Sequence, residues 1–282
     1  MPDEQRGSVT VDPAAAGPPV LTTFASAGEA SVATIVLNRP HARNAVTLEL
    51  AAGLAEALRA AAGRARVIVI RGAGGHFCAG GDFGEVARLR AQGPAALRRL
   101  FEAFLGACEL VGDLPVPVIA AVEGYAMAGG FELIQSCDIA IARDDAVLAD
   151  NHLNFGMIPA GGGSQRLPRI AGPQRALGLI LTGDRLTGAQ AMQWGLVYRS
   201  VPPAGFEQAV TELAGNLAAK DAGALARAKH LIREGLRRPL LDGLALETQT
   251  ATEHLFTAGA DAGISRLTRP GPASDPTTRE SS

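Results

Sequence analysis

Lysine is almost missing from this chain. Only Lys220 and Lys229 occur, and arginine carries nearly all the positive charge, so 26 basic residues face 28 acidic ones. The resulting net charge of −2 gives no electrostatic case for nucleic acid as a partner. No apolar run reaches the roughly 18 residues needed to cross a bilayer, so no membrane span is expected. The N-terminal stretch Met1–Pro19 is acidic, then rich in Ala, Pro and Gly. It lacks the basic region and apolar core of a secretion signal. Cys78, Cys108 and Cys137 have neither metal nor pairing spacing, which suits a reducing cytoplasm. The histidines at 41, 76, 152, 230 and 254 show no His-x-x-x-His spacing, so no zinc site is expected. Gly72-Ala-Gly-Gly lacks the third glycine of a dinucleotide fingerprint, and no glycine-rich loop ends in Lys-Ser/Thr. Ser164 lies in Gly-Gly-Ser-Gln, which excludes a nucleophile elbow.

What is present points to an ordinary α/β enzyme. The 282 residues are 47% apolar, enough for a sizeable core. Thr47–Ala62 reads as a helix: Thr47 can cap it, and Leu50, Leu54 and Leu58 recur on one face. It runs directly into a strand at Val67–Arg71. Such alternation argues for an α/β core over residues 21–203. Pro202-Pro203 marks a boundary, and Phe206–Leu217, Ala222–Arg237 and Ala245–Phe256 read as helices within a strand-free region over 204–267. Residues 1–20 are expected to form a flexible tail. Residues 268–282, rich in Pro, Ser, Thr and charge, are expected to be disordered.

Two glycine turns carry the chemistry. The apolar run Val118–Val122 reads as a buried strand and leads into Gly124-Tyr-Ala-Met-Ala-Gly-Gly-Phe-Glu132. A strand feeding a glycine-rich helix start leaves backbone N–H groups free, with the helix dipole behind them, and so suits developing negative charge. Glu132, one turn into that helix, adds a candidate base. Its apolar neighbours Phe131, Leu133 and Ile134 predict burial and a raised pKa. The run Arg66–Arg71 leads into the second turn, Gly72-Ala-Gly-Gly-His-Phe-Cys-Ala-Gly-Gly-Asp82.

Phe77-Cys-Ala-Gly-Gly-Asp82 together with Gly124–Leu133 resembles the crotonase, or enoyl-CoA hydratase/isomerase, family. Asn38–Ala45, Gly156–Leu167, Leu181–Leu186 and Ala189–Val201 agree in order and spacing, so the resemblance spans roughly residues 30 to 265. It implies a crotonase-like spiral of ββα repeats with a C-terminal helical trimerisation region. It also implies a homo-trimer or dimer of trimers acting on an acyl-CoA thioester. No cofactor is implied beyond the coenzyme A of the substrate. By resemblance, the N–H groups of Gly81 and Gly129 form the oxyanion hole, and Glu132 is one of two hydratase glutamates. Arg43 lies near the CoA phosphates, and Ala79, Phe83 and Phe155 contact substrate. Asp82 is expected to be structural, since a carboxylate facing an anion hole would oppose it.

The chain departs from the family pattern at the second glutamate. Counting from Glu132 to Gly156 puts His152 at that position, and imidazole can also act as acid and base. Asn151 and Asn154 flank it; either can orient it or cap the turn. Replacing His152 by Glu is expected to restore the usual pair. Gly84 stands where relatives often carry lysine. The expected reaction is reversible hydration of a 2-enoyl-CoA. The alternatives are isomerisation, or carbon–carbon hydrolysis of the β-diketone type, whose family members also carry histidine here. Those hydrolases have an acidic residue in the following loop, which here reads Ala160-Gly-Gly-Gly163. An alternative of another class is a non-catalytic or RNA-binding member.

Overall fold

In the computed structural model, residues 17–27 and 30–268 are described. Most of the expected N-terminal tail and nearly all of the expected C-terminal tail lie outside them. Val20, inside the expected tail, already opens the first strand.

The chain builds two sheets by repeating strand, strand, helix. Strands β1 (Val20–Ala27) and β2 (Ala30–Leu37) form an antiparallel hairpin. Helix α1 (Leu48–Ala62) follows, and the Thr47 side chain accepts from the Leu50 N–H at 3.1 Å, as its sequence predicts. Strand β3 (Val67–Gly72) then joins β2 in parallel, and α2 (Phe83–Ala91) and α3 (Pro94–Asp113) come next. The following turns are more regular. Strand β4 (Val118–Val122) enters the first sheet, β5 (Tyr125–Met127) the second, and α4 (Gly129–Ser136) returns. Strands β6 (Ile139–Arg143) and β7 (Val147–Ala149) repeat this, followed by α5 (Gly163–Ala171) and α6 (Pro173–Thr182). Then β8 (Leu186–Thr187) closes the smaller sheet, and α7 (Gly188–Gln193) leads to β9 (Arg199–Val201) at the edge of the larger one. The larger sheet runs β1-β2-β3-β4-β6-β9 and the smaller β5-β7-β8.

Period-two alternation explains how the larger sheet is covered. Ile68, Ile70, Val118 and Ala120 point into the main core with Leu50, Leu54 and Leu58 of α1. Val67, Val69, Ile119, Ala121 and Ile141 point the other way, onto Phe206, Val210, Ala214 and Ala218 of α8 (Phe206–Ala218). Each large apolar side chain sealed in this way stabilises the fold by about 1.5–3 kcal/mol. The boundary read at Pro203 therefore falls before a helix that completes the sheet, and the second compact unit begins at Asp221. That unit holds α9 (Ala222–Gly235), α10 (Leu240–His254) and α11 (Ala258–Thr268). Helix α10 starts five residues earlier than Ala245 because Pro239 ends the preceding turn and its fixed φ suits a helix entry. Neither α9 nor α10 contains a buried residue.

Candidate active site

The winding brings three strand-to-helix turns side by side. Cys78 forms an isolated parallel bridge with Ala126: the Cys78 N–H donates to Tyr125 O and the Met127 N–H to Cys78 O, each at 2.9 Å. Met127 is paired in turn with Ala149, and the Ala128 N–H donates to Ala149 O at 2.8 Å. The chain segments leaving Cys78, Met127 and Ala149 thus emerge together at the carboxyl ends of parallel strands, where α/β folds place their ligands.

The first two turns present backbone donors. The Val46 N–H donates to Gly80 O at 2.7 Å and the Asp82 N–H to Val46 O at 2.9 Å, which fixes Gly81 between two tied neighbours. Ala128 has φ 47° and ψ −115°, a conformation costly for alanine, and it turns the chain abruptly into α4. A Cβ on Gly130 would collide with the Cys78 carbonyl, so only glycine lets the two turns pack this closely. Among the described residues, the N–H groups of Gly81 and Gly129 donate to no protein acceptor. Asn44, fully buried, shapes the approach: its Nδ2 donates to Ala73 O at 2.9 Å and His76 O at 2.7 Å. Sequence reasoning missed this residue. Asp82 is structural, as expected. It caps α2 by accepting from the Glu85 N–H and pairs with Arg39 at 2.9 Å. Burial pushes its carboxyl up, but the Glu85 N–H and Arg39 outweigh this and hold it below the usual range.

Glu132 is 2% exposed. Its Oε1 accepts from the N–H groups of Gly161 and Gly163, both at 2.8 Å, at the start of α5. Oε2 is left toward His152 Nε2, 3.7 Å away. Burial raises the pKa; the Gly163 donor, His152 and the Gly161 donor pull it down without cancelling the rise. The glycine loop is needed at close quarters. A Cβ at Gly161 would lie 2.6 Å from Phe104 and 2.9 Å from Glu132 Oε2, so the loop has no space for an acidic side chain there.

The third turn carries His152 at the head of a short 3-10 turn, His152–Phe155. Neither flanking asparagine orients it. Asn151 makes no capping bond, and Asn154 faces the Gly183 turn. The orienting group is Asp150, fully buried, with Oδ1 2.6 Å from His152 Nδ1. The sequence carried no local signal for this pair, because Asn151, at φ −103° and ψ 20°, turns the chain out of the strand between Asp150 and His152.

These groups open on an apolar cavity of about 620 Å³ between α2, α3 and the third turn. Gly81, Gly129, Glu132 and His152 all line it, as do Ala79, Phe83 and Phe155. Phe83 and Phe155 meet edge to face, 5.1 Å between centroids, and are 55% and 57% exposed at the mouth. Arg43 is not in the lining; its guanidinium sits over Tyr125, 5.3 Å from the ring centre. Among the described residues, no cluster of three or more His, Cys, Asp or Glu is arranged to hold a metal, and no helix is long and apolar enough to cross a membrane.

Comparison with known proteins agrees with this geometry. Residues 27–268 match the family model described as enoyl-CoA hydratase/isomerase. A Rhodobacter capsulatus protein named "Probable enoyl-CoA hydratase" is 35% identical over 79% of this chain and 85% of its own. The Bos taurus "Enoyl-CoA hydratase domain-containing protein 2, mitochondrial" is 39% identical over 71% of this chain and 67% of its own. The crystal structure of an enoyl-CoA hydratase from Bacillus anthracis superposes with a TM-score of 0.83 at 33% identity, covering 88% of this chain and 95% of that one. With its spiral fold and two bridged glycine turns, the chain belongs to the enoyl-CoA hydratase/isomerase family, the crotonases.

Proposed function

We propose that the protein catalyses reversible hydration of a 2-enoyl-CoA. The observation that carries this is the pair Glu132 Oε2 and His152 Nε2, 3.7 Å apart on one apolar cavity beside two unengaged backbone donors. Hydration needs one group to take a proton from water and one to give a proton to the α-carbon. It also needs donors for the enolate oxygen that forms between those events. Glu132 takes the water proton as oxygen bonds to the β-carbon. The Gly81 and Gly129 N–H groups hold the thioester oxygen, and His152 Nε2 protonates the α-carbon. The proton on Glu132 then returns to Nε2, which resets the site. Isomerisation would use the same enolate. Carbon–carbon hydrolysis is less well supported, because the loop position nearest Glu132 has no space for an acid.

No cofactor enters this scheme beyond the coenzyme A of the substrate. Three free thiols, two of them pushed up to about 12 by burial, support a reducing compartment such as the cytoplasm. Leu236 at 84% and Phe256 at 87% exposure in the second unit support a trimer or a dimer of trimers. Light scattering at micromolar concentration should then give three or six chain masses, and a monodisperse monomer would refute it. The reaction is tested with a panel of 2-enoyl-CoA, 3-enoyl-CoA and β-diketone substrates. Loss of the enoyl-thioester absorbance on adding crotonyl-CoA is expected. Turnover of only 3-enoyl-CoA or β-diketone compounds would overturn hydration.

A further inference from the structure

The site lacks the second glutamate of the family's hydratases, yet it contains a buried carboxylate that the scheme above does not use. Asp150 is fully buried. Among the described residues its Oδ1 meets only His152 Nδ1, at 2.6 Å, and its Oδ2 has no hydrogen-bond partner. No lysine or arginine forms an ion pair with it among the described residues. A carboxylate in that position is costly unless a positive charge lies against it. The one group placed to supply that charge is the imidazole.

We propose that Asp150 and His152 together are the charge equivalent of the absent second glutamate, with Asp150 as the positioning residue. This rests on the hydration reading. A protonated glutamate is neutral and has one proton to give; after giving it, the group carries −1. An Asp150 carboxylate against a His152 imidazolium is also neutral, has one transferable proton on Nε2, and carries −1 afterwards. With Glu132 ionised at the start and protonated after taking the water proton, the site holds −1 throughout, as a two-glutamate site does. Histidine without the aspartate would place the site one positive charge higher at each step. The Nδ1 contact also fixes the ring so that Nε2 faces Glu132 and the cavity.

Among the described residues no lysine or arginine forms an ion pair with Asp150 or His152. Glu132 approaches from α4, and the Arg166 guanidinium of α5, which keeps its charge, donates to Gly161 O at 2.5 Å. Phe104 approaches from α3, and the nearby thiols of Cys78 and Cys108 are pushed up to about 12 and stay neutral. The α-carbon of Gly163 sits against both carboxylates: a Cβ there would be 3.0 Å from Asp150 Oδ2 and 3.1 Å from Glu132 Oε1.

The pairing makes the two positions interdependent. His152→Glu alone puts a third carboxylate beside Asp150 and Glu132. It should lower kcat at least ~100-fold, the scale of a lost acid–base group. Asp150→Asn with His152→Glu removes the surplus charge and should regain at least ~10-fold over the single variant. Asp150→Asn alone should cut kcat ~10- to 100-fold, because the imidazole loses the carboxylate that holds its Nδ1. Thermal melts of each variant check folding. Equal activity of His152→Glu with and without Asp150→Asn would overturn the proposal, as would an unchanged kcat in Asp150→Asn. If the wild type hydrates no enoyl-CoA, the hydration reading fails on its own. The same variants are then compared by exchange of solvent deuterium into the α-carbon of an acyl-CoA, where the same ranking supports the pair and equal exchange refutes it.

Discussion

The two walls of the cavity are made differently. The wall at Gly81 and Gly129 is backbone. Its donors are aimed by sheet pairing between Cys78 and Ala126 and by the forced turn at Ala128, so no side-chain rotamer enters into their position. The opposite wall is side chain. Glu132, His152 and Asp150 come from two turns; Glu132 is held by the N–H groups of Gly161 and Gly163, and His152 by Asp150. A wall of backbone tolerates little change and offers one chemistry, N–H donation. A wall of side chains can exchange one acid–base group for another while the fold stays the same, and His152 belongs to this wall.

That contrast can be broken at its strongest point first. Gly129→Pro removes one donor at the first helical position of α4 and strains the turn at Ala128. It should lower kcat ~100- to 1000-fold, measured with crotonyl-CoA, with little change in far-ultraviolet circular dichroism. Unchanged turnover would remove the backbone wall from the mechanism. Gly161→Ala acts on the other wall without replacing a reacting group. Its methyl would press on Phe104 and Glu132, and a carboxylate shifted by about 1 Å should cost on the order of 10- to 100-fold. A wild-type rate would mean that the loop does not position Glu132. The smallest effect is on pH. Glu132 must be ionised to accept a proton, and its pKa is raised by burial. Activity should therefore fall as pH drops through a value above the ~4.3 of an ordinary glutamate. An acid limb at or below that value would show that Glu132 is not the base.

The backbone wall was readable in the sequence because glycine spacing after an apolar run encodes turn geometry locally. Glu132 was readable for the same reason, and its apolar neighbours foretold its burial. Helix α1 could be placed to the residue from Thr47 and its leucine spacing. Asp150 was not readable in this way. Its meaning depends on how the 3-10 turn after it rotates the imidazole, and adjacency in sequence favoured Asn151 and Asn154 instead. The expectation that His152→Glu restores the family pair is set against the proposed Asp150–His152 pairing, under which the single replacement adds a surplus charge. The role of α8 was hidden too. A helix following Pro203 carries no local mark of whether it closes the preceding sheet or joins the helices beyond it.

The lateral bridging of the three turns also sets an order of assembly. Gly81 gains its partner turn only when the chain through Ala126 has wound past it, and Glu132 gains its two backbone donors only when Gly161 and Gly163 are in place. During synthesis the two unengaged N–H donors are therefore complete before the carboxylate is anchored, and the Asp150–His152 pair falls between them. A chain released short of Gly161 would keep the leading strands and both donors but leave Glu132 without its N–H partners. Such a fragment would carry an unsatisfied carboxylate in an apolar interior and would be expected to unfold locally, not to persist as a weak enzyme.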